Sequence, residues 1–370
     1  MMLRGSLTIL RFAGIPVRIH WTFLILLAWV VGSAVARTGT IAAAINSTLF
    51  VIAVFVCVVL HEFGHAFAAR AFGVRTRDIT LLPIGGVAAL ERMPEKPWEE
   101  LVVAIAGPLV NVVIALAILP LLVWRDGLDA MLTLGAQGRH AERFLGSLLA
   151  VNVWMVIFNL IPAFPMDGGR ILRALLATGL GRPRATRLAA VIGQAIAVAM
   201  AFVGLFGMPM LILVALFVWL GAGAEAQSVE ETSLLHGLPV SAGMIRRFQV
   251  LGVDDTLQAA AEELLAGAQQ DFPVTRGGRA EDPLVGLLTR ADLVRALASH
   301  GLAARVGDAM RHGGEPVPED ASLEEVVARM HDSACSLVPV TRGGRLVGLV
   351  TGENVAELLL LRGATVDRSR

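Results

Sequence analysis

The chain has little of what soluble and secreted enzymes are usually built from. Among 370 residues there are two cysteines, Cys57 and Cys335, one lysine, Lys96, and no tyrosine. Two thiols so far apart exclude a disulfide framework. Charged residues make up 17% of the chain, whereas an average soluble domain carries about 25%. The formal net charge is zero, which excludes a strongly basic nucleic-acid binder. Charge is also unevenly spread. Residues 1–227 hold 17 basic and 11 acidic side chains, and residues 228–370 hold 14 and 20.

Where charge is scarce, apolar residues take its place. They form 55% of the chain, and the mean hydropathy of +0.69 excludes a disordered polymer. A spanning helix needs about 20 apolar residues. Runs at 21–36, 41–60, 101–124 and 144–161 meet that length or approach it. The stretch 188–222 is too long for one crossing, and Gly-Met-Pro at 207–209 divides it in two. The first run is long for a secretory signal, and no small-residue cleavage site with a soluble part follows it. Six spans put both termini on one side. Arg4, Arg11 and Arg18 precede the first span, Arg70, Arg75, Arg77, Arg92 and Lys96 follow the second, and Arg170, Arg173, Arg182, Arg184 and Arg187 follow the fourth. Basic residues collect on the cytoplasmic side. The expected fold is therefore an α-helical polytopic membrane protein of about six transmembrane helices, set in the bilayer of the cell inner (cytoplasmic) membrane. Its termini are cytoplasmic, and a C-terminal cytoplasmic α/β part follows.

That C-terminal part contains an internal repeat. FPVTRGGR at 272–279 recurs as VPVTRGGR at 338–345, and VGLLTRADLV at 285–294 recurs as VGLVTGENVA at 347–356. Each copy reads helix, short strand, Gly-Gly turn, strand, helix. A repeat of this size means two copies of one supersecondary unit packed together.

The residues with chemistry in them begin at His61-Glu62-Phe63-Gly64-His65. On a helix, residues four apart share a face. Both imidazoles can then reach one zinc ion, with Glu62 free as general base. The plain alternative is a solvated polar cap at the helix end. A catalytic zinc needs a third protein ligand and an open position. Asp167, in NLIPAFPMDGGR at 159–170, follows the fourth span and lies on the same side as the end of the second. Pro162 and Pro165 break the helix there, and Gly168 and Gly169 allow close backbone approach. Asp167 would otherwise be the N-cap of a helix over 169–180. Asn111, in GPLVN at 107–111, and Asn159 are polar residues in apolar runs. They suit interhelical hydrogen bonding or a role in binding substrate and stabilising an oxyanion. ITLLPIGGVAAL at 79–90 reads as a β-hairpin whose exposed edge suits an extended substrate strand.

HEFGH on one span, GPLVN on the next and NLIPAFPMDGG after the fourth together resemble the site-2 protease family of intramembrane zinc metalloproteases. The repeat resembles a pair of CBS domains, which points to the CBS-bearing branch of that family. Met166 stands where many members carry Leu, an apolar exchange. The resemblance implies zinc held by His61, His65 and Asp167, with Glu62 as acid and base. It also implies cleavage of membrane-anchored protein substrates within or near the bilayer, as in regulated intramembrane proteolysis. For the CBS pair it implies an adenine nucleotide such as ATP on Thr289 and Asp292, a weaker counterpart on Thr351 and Asn354, and self-association as a homodimer. The division expected is 1–227 for the protease, 236–299 and 304–362 for the two CBS domains. A CBS-regulated transporter and an inactive membrane scaffold are the competing readings. A transporter should show repeat symmetry in its membrane half, which residues 1–227 lack. A scaffold has no need of Glu62 and three ligands.

Overall fold

The computed structural model describes residues 5–91, 93–94, 96–132, 140–333 and 336–367. Arg4, Arg92 and Cys335 lie outside the described residues. The chain divides into two units, Met2–Val229 and Glu230–Arg370.

The first unit opens with a hairpin, β1 (Ser6–Phe12) and β2 (Ile15–His20). Ala13 and Gly14 turn it with φ of 51° and 85°, the positive values that suit a two-residue turn to the strands' twist. Helix α1 (Trp21–Thr38) ends at Gly39, whose φ is 67° and whose N–H bonds Val35 O, a left-handed cap. Helix α2 (Ile41–Ala71) starts on Thr40, whose side chain accepts the N–H of Ala43. The expected second run ended near 60, but α2 continues to Ala71. Ala66 and Ala69 keep one face buried there, and the chain turns only at Gly73, with φ of 77°. The expected hairpin follows as β3 (Thr76–Leu82) and β4 (Gly85–Leu90). The four strands form one sheet in the order β1-β2-β3-β4, with β2 and β3 parallel and the other pairs antiparallel. Ile15, Val17 and Ile79 pack it onto Phe63 and Ala66 of α2.

Five helices follow: α3 (Pro97–Leu132), α4 (His140–Asn159), α5 (Asp167–Leu180), α6 (Arg182–Leu205) and α7 (Pro209–Leu235). Among the described residues α1, α2, α3, α6 and α7 are long and apolar enough to cross a bilayer. The expected fourth span falls on α4, whose apolar part, Phe144–Asn159, is shorter. Leu24, Trp29, Ile45, Leu116, Val198 and Leu213 all point outward, as lipid-facing side chains do. The turn between α4 and α5 is packed by small residues. Ala163 and Met166 sit on Ala197 of α6 and Val218 of α7.

In the second unit a 3-10 turn (Val240–Ala242) leads into β5 (Leu251–Gly252), α8 (Leu257–Ala266), β6 (Phe272–Thr275), β7 (Leu284–Leu288), α9 (Arg290–His300), α10 (Val306–Ala309) and β8 (Arg311–His312). The second copy runs β9 (Val317–Pro318), α11 (Leu323–Ser333), β10 (Leu337–Arg342), β11 (Arg345–Thr351) and α12 (Gly352–Asp367). The helix–strand–turn–strand–helix order expected from the repeat is present in both. Each copy has its own core, around Leu257, Phe272, Val274 and Leu288 in the first and Leu323, Val338, Val340 and Val350 in the second. Leu287 joins Leu337, Leu346 and Leu349 where the copies meet. The segment before β5 is added to the second copy rather than the first: Val240 N bonds Ala321 O, and Ile245 pairs with Leu349.

Candidate metal centre

Residues 61 and 65 lie one turn apart on α2, so their side chains stack along one face. Asp167 is the first residue of α5, reached after the chain leaves α4 at Asn159. The N-cap alternative for Asp167 does not hold, because Met166 occupies that position. The carboxylate is turned inward instead. His61 Nε2 lies 3.2 Å from Asp167 Oδ2, His65 Nε2 lies 3.1 Å from the same oxygen, and the two nitrogens are 3.0 Å apart. All three residues are buried.

The remaining nitrogens fix how these atoms present themselves. Asn111 Nδ2 donates to Asn152 Oδ1 at 2.8 Å, which turns the Asn111 carbonyl oxygen toward His61 Nδ1 at 2.5 Å. His65 Nδ1 faces the carbonyl of Val103 at 2.7 Å. Each Nδ1 is therefore the N–H donor, and each Nε2 offers a lone pair to the shared point. Two lone pairs and a carboxylate oxygen within 3.2 Å of one another call for a positive charge among them. Donors at zinc distance around a tetrahedral ion stand about 3.3 Å apart. The donor set and its spacing fit zinc.

Asn111 thus sits behind His61, fully buried, with its carbonyl oxygen and amide both engaged. Asn152 was not among the residues singled out from the sequence. Its Nδ2 donates to Leu148 O at 2.8 Å, so the whole chain of bonds is anchored in the backbone of α4. Asn159 lies elsewhere, donating to Met155 O at 3.0 Å and lining the cavity beside the ligands. Gly107 of α3 faces the histidines so closely that a Cβ there would stand 2.1 Å from His65 Nε2.

That cavity has a volume of ≈ 770 Å³ and is lined by α2, β4, the end of α4 and the start of α5. Glu62 enters it from α2. Glu62 Oε2 accepts the N–H of Ala88 at 3.2 Å. Because β4 is an edge of the sheet, this N–H points away from β3 and into the cavity. Gly86 backs onto Glu62, leaving 2.8 Å between its would-be Cβ and Glu62 Cγ.

The model of peptidase family M50 matches residues 49–137 and 128–203, and the CBS domain model matches 240–299 and 306–361. A zinc metalloprotease of Methanocaldococcus jannaschii, MJ0392, is 33% identical over 353 residues, covering 95% of either chain. The chain belongs to peptidase family M50, the site-2 protease family. Among other M50 relatives, the putative zinc metalloprotease Rip3 of Mycobacterium tuberculosis is 27% identical over 384 residues, covering 96% of this chain and 93% of the relative. The solved site-2 protease from M. jannaschii is 40% identical and covers 60% of this chain and 95% of its own, with a TM-score of 0.44. The M50 protein described here is a multi-pass membrane metalloprotease with a C-terminal CBS pair.

In the CBS pair, Thr289 caps α9 by accepting the N–H of Asp292, and its hydroxyl donates to Asp292 Oδ2 at 2.6 Å. Asp292 is buried and also receives Arg311 Nε at 2.6 Å and Arg295 Nη1 at 2.9 Å. Burial pushes its carboxyl up, but the hydrogen bonds from Arg311 and Thr289 outweigh that and hold it below the usual carboxylate range. In the second copy Thr351 and Asn354 make the same local contact at 3.3 and 3.4 Å, with no arginine bound to Asn354 among the described residues.

Proposed function

We propose that this chain hydrolyses peptide bonds of membrane-anchored proteins within or near the bilayer, as an intramembrane zinc endopeptidase of regulated proteolysis. One observation carries the reading: three donor atoms 3.0–3.2 Å apart stand beside Glu62, in the second half of a spanning helix. His61, His65 and Asp167 are the ligands, and Glu62 is the acid and base. Zinc held there supplies Lewis-acid polarisation of the scissile carbonyl and of a water. Glu62 takes the proton from the attacking water and passes it to the leaving amine nitrogen. The N–H of Ala88 holds the Glu62 carboxylate in reach of that water. Asn111 positions His61, and Asn159 faces the substrate.

A helical substrate protects its peptide bonds by internal hydrogen bonding, so it must unwind before cleavage. The free edge of β4 offers the unwound strand backbone partners at Gly86. His61 stands 20 residues from the start of α2, about 30 Å along the axis, which is about the thickness of the hydrocarbon core. Water then has a short path from the nearer face, which the arginine distribution makes cytoplasmic. The inner membrane, with both termini and residues 236–299 and 304–362 in the cytoplasm, is the expected location, and residues 1–227 form the protease. The CBS pair adds a regulatory layer. It takes an adenine nucleotide at Thr289 and Asp292, less firmly at Thr351 and Asn354, and joins two chains as a homodimer.

The first experiment is metal analysis of the detergent-purified chain beside H65A, D167A and E62Q. The expected result is about one zinc per wild-type chain, less in both ligand variants, and full zinc without cleavage in E62Q. A folded wild-type chain that holds no zinc after zinc is supplied overturns the reading.

A further inference from the structure

Two arginines of α5 lie one turn apart and differ in every respect but charge. Arg173 is fully buried and bound to Glu100 and Glu225. Arg170 is half-buried and lines the cavity that holds the metal ligands and Glu62. It is the only lysine or arginine in that lining. It stands three residues after Asp167, on the same face of the helix. Among the described residues it makes no hydrogen bond and no ion pair with the protein, although its charge acts on the Asp167 carboxylate through space.

A half-buried guanidinium that lines the same cavity as Glu62 and the ligands, with its donors unengaged, is available to an anion formed there. Peptide hydrolysis produces one. As the water oxygen bonds to the carbonyl carbon, the π electrons move onto the carbonyl oxygen. As the C–N bond then breaks, they return, and the amine leaves with the proton from Glu62. The transient negative charge needs donors already in place. Asn111 is spent on His61 and Asn152, so it does not supply one. We propose that Arg170 is a further catalytic residue, a hydrogen-bond donor to the oxyanion formed at the scissile carbonyl. This rests on the metalloprotease reading above.

The test uses the full-length zinc-loaded chain with a single-span substrate, and a phosphinic peptide as a stable tetrahedral anion. R170Q should lower kcat about 100-fold with KM changed less than about 2-fold. Zinc should remain at about one per chain. Affinity for the phosphinic peptide should fall by about the same factor as kcat. R170K, which keeps the charge but not the forked donor, should fall between. A loss confined to KM, a loss of zinc, or unchanged phosphinic-peptide affinity in R170Q overturns the proposal while leaving the protease reading intact. A wild-type chain that neither holds zinc nor cleaves overturns both.

Discussion

One methyl group on Gly107 tests the centre without touching a ligand. An alanine Cβ there would stand 2.1 Å from His65 Nε2 and 2.7 Å from His61 Nε2, so the rings must move. In a helix interior the same change favours folding by about 1 kcal/mol. G107A is therefore expected to keep its helical circular dichroism and thermal transition while losing zinc affinity by about 10-fold or more. Chelator competition reads the loss, and unchanged affinity would mean that the histidines are not held where α3 places them. Asp292 gives a second prediction at this scale. Its carboxyl is held low mainly by Arg311 and Thr289, against burial. Its contribution to stability is then complete above the unfolded value of about 3.9 and is lost as pH falls through the lower folded value. Amide protection factors in peptides covering 285–312, corrected for the intrinsic pH dependence of exchange, should fall below about pH 4 in the wild type. In D292N they should be lower at neutral pH and flatter with pH. Much at this scale was legible in the sequence. His61, Glu62 and His65 stand in one motif whose i, i+4 spacing sets both imidazoles on one helix face, whereas Asp167 follows from the span topology and from the family its motif resembles. Asn152 announces nothing, and Gly107, although it opens GPLVN, does not announce what it faces, because a single polar residue or glycine in an apolar run has many uses. What decides its role is a partner 41 or more residues away.

Between elements, one tie in the first unit is a buried ion-pair cluster. Arg173 of α5 is fully buried and bonds Glu100 of α3 and Glu225 of α7, with its guanidinium 5.0 Å over the Phe164 ring. The cluster fixes the helix that begins with Asp167 against the helix that carries Asn111 and the Val103 carbonyl. R173M leaves Glu100, itself buried, with no cation among the described residues, and removing one partner of such a pair costs about 3–5 kcal/mol. R173M is expected to unfold at clearly lower denaturant than wild type, and R173M/E100Q should recover part of the loss. Equal stability of the two variants would show that Glu100 carries no penalty when unpaired. Sequence patterning found most elements and missed a particular class. The β3–β4 hairpin was visible through Gly85-Gly86 and its alternation, and the CBS strands through their repetition. The β1–β2 hairpin was not. Its LTILRF and PVRIH segments stand out in the sequence only through the arginines that precede the first span, and pairing with β3, some sixty residues later, shows that they belong to a sheet.

At the scale of the whole molecule, the chain's composition supplies a probe of which side of the membrane each part faces. Lys96 is the only lysine. Its side chain is 69% exposed, 3.4 Å from Glu99 at the start of α3. An impermeant amine-reactive reagent therefore reports the side of the 70–98 segment on the unmodified protein. Lys96 should be modified in sealed inside-out vesicles and not in right-side-out ones, with peptide mapping to assign the site. Modification from the outside would reverse the orientation and place the cavity's water path on the external face. It would conflict with the arginine distribution that follows the second and fourth spans, on which the cytoplasmic assignment rests.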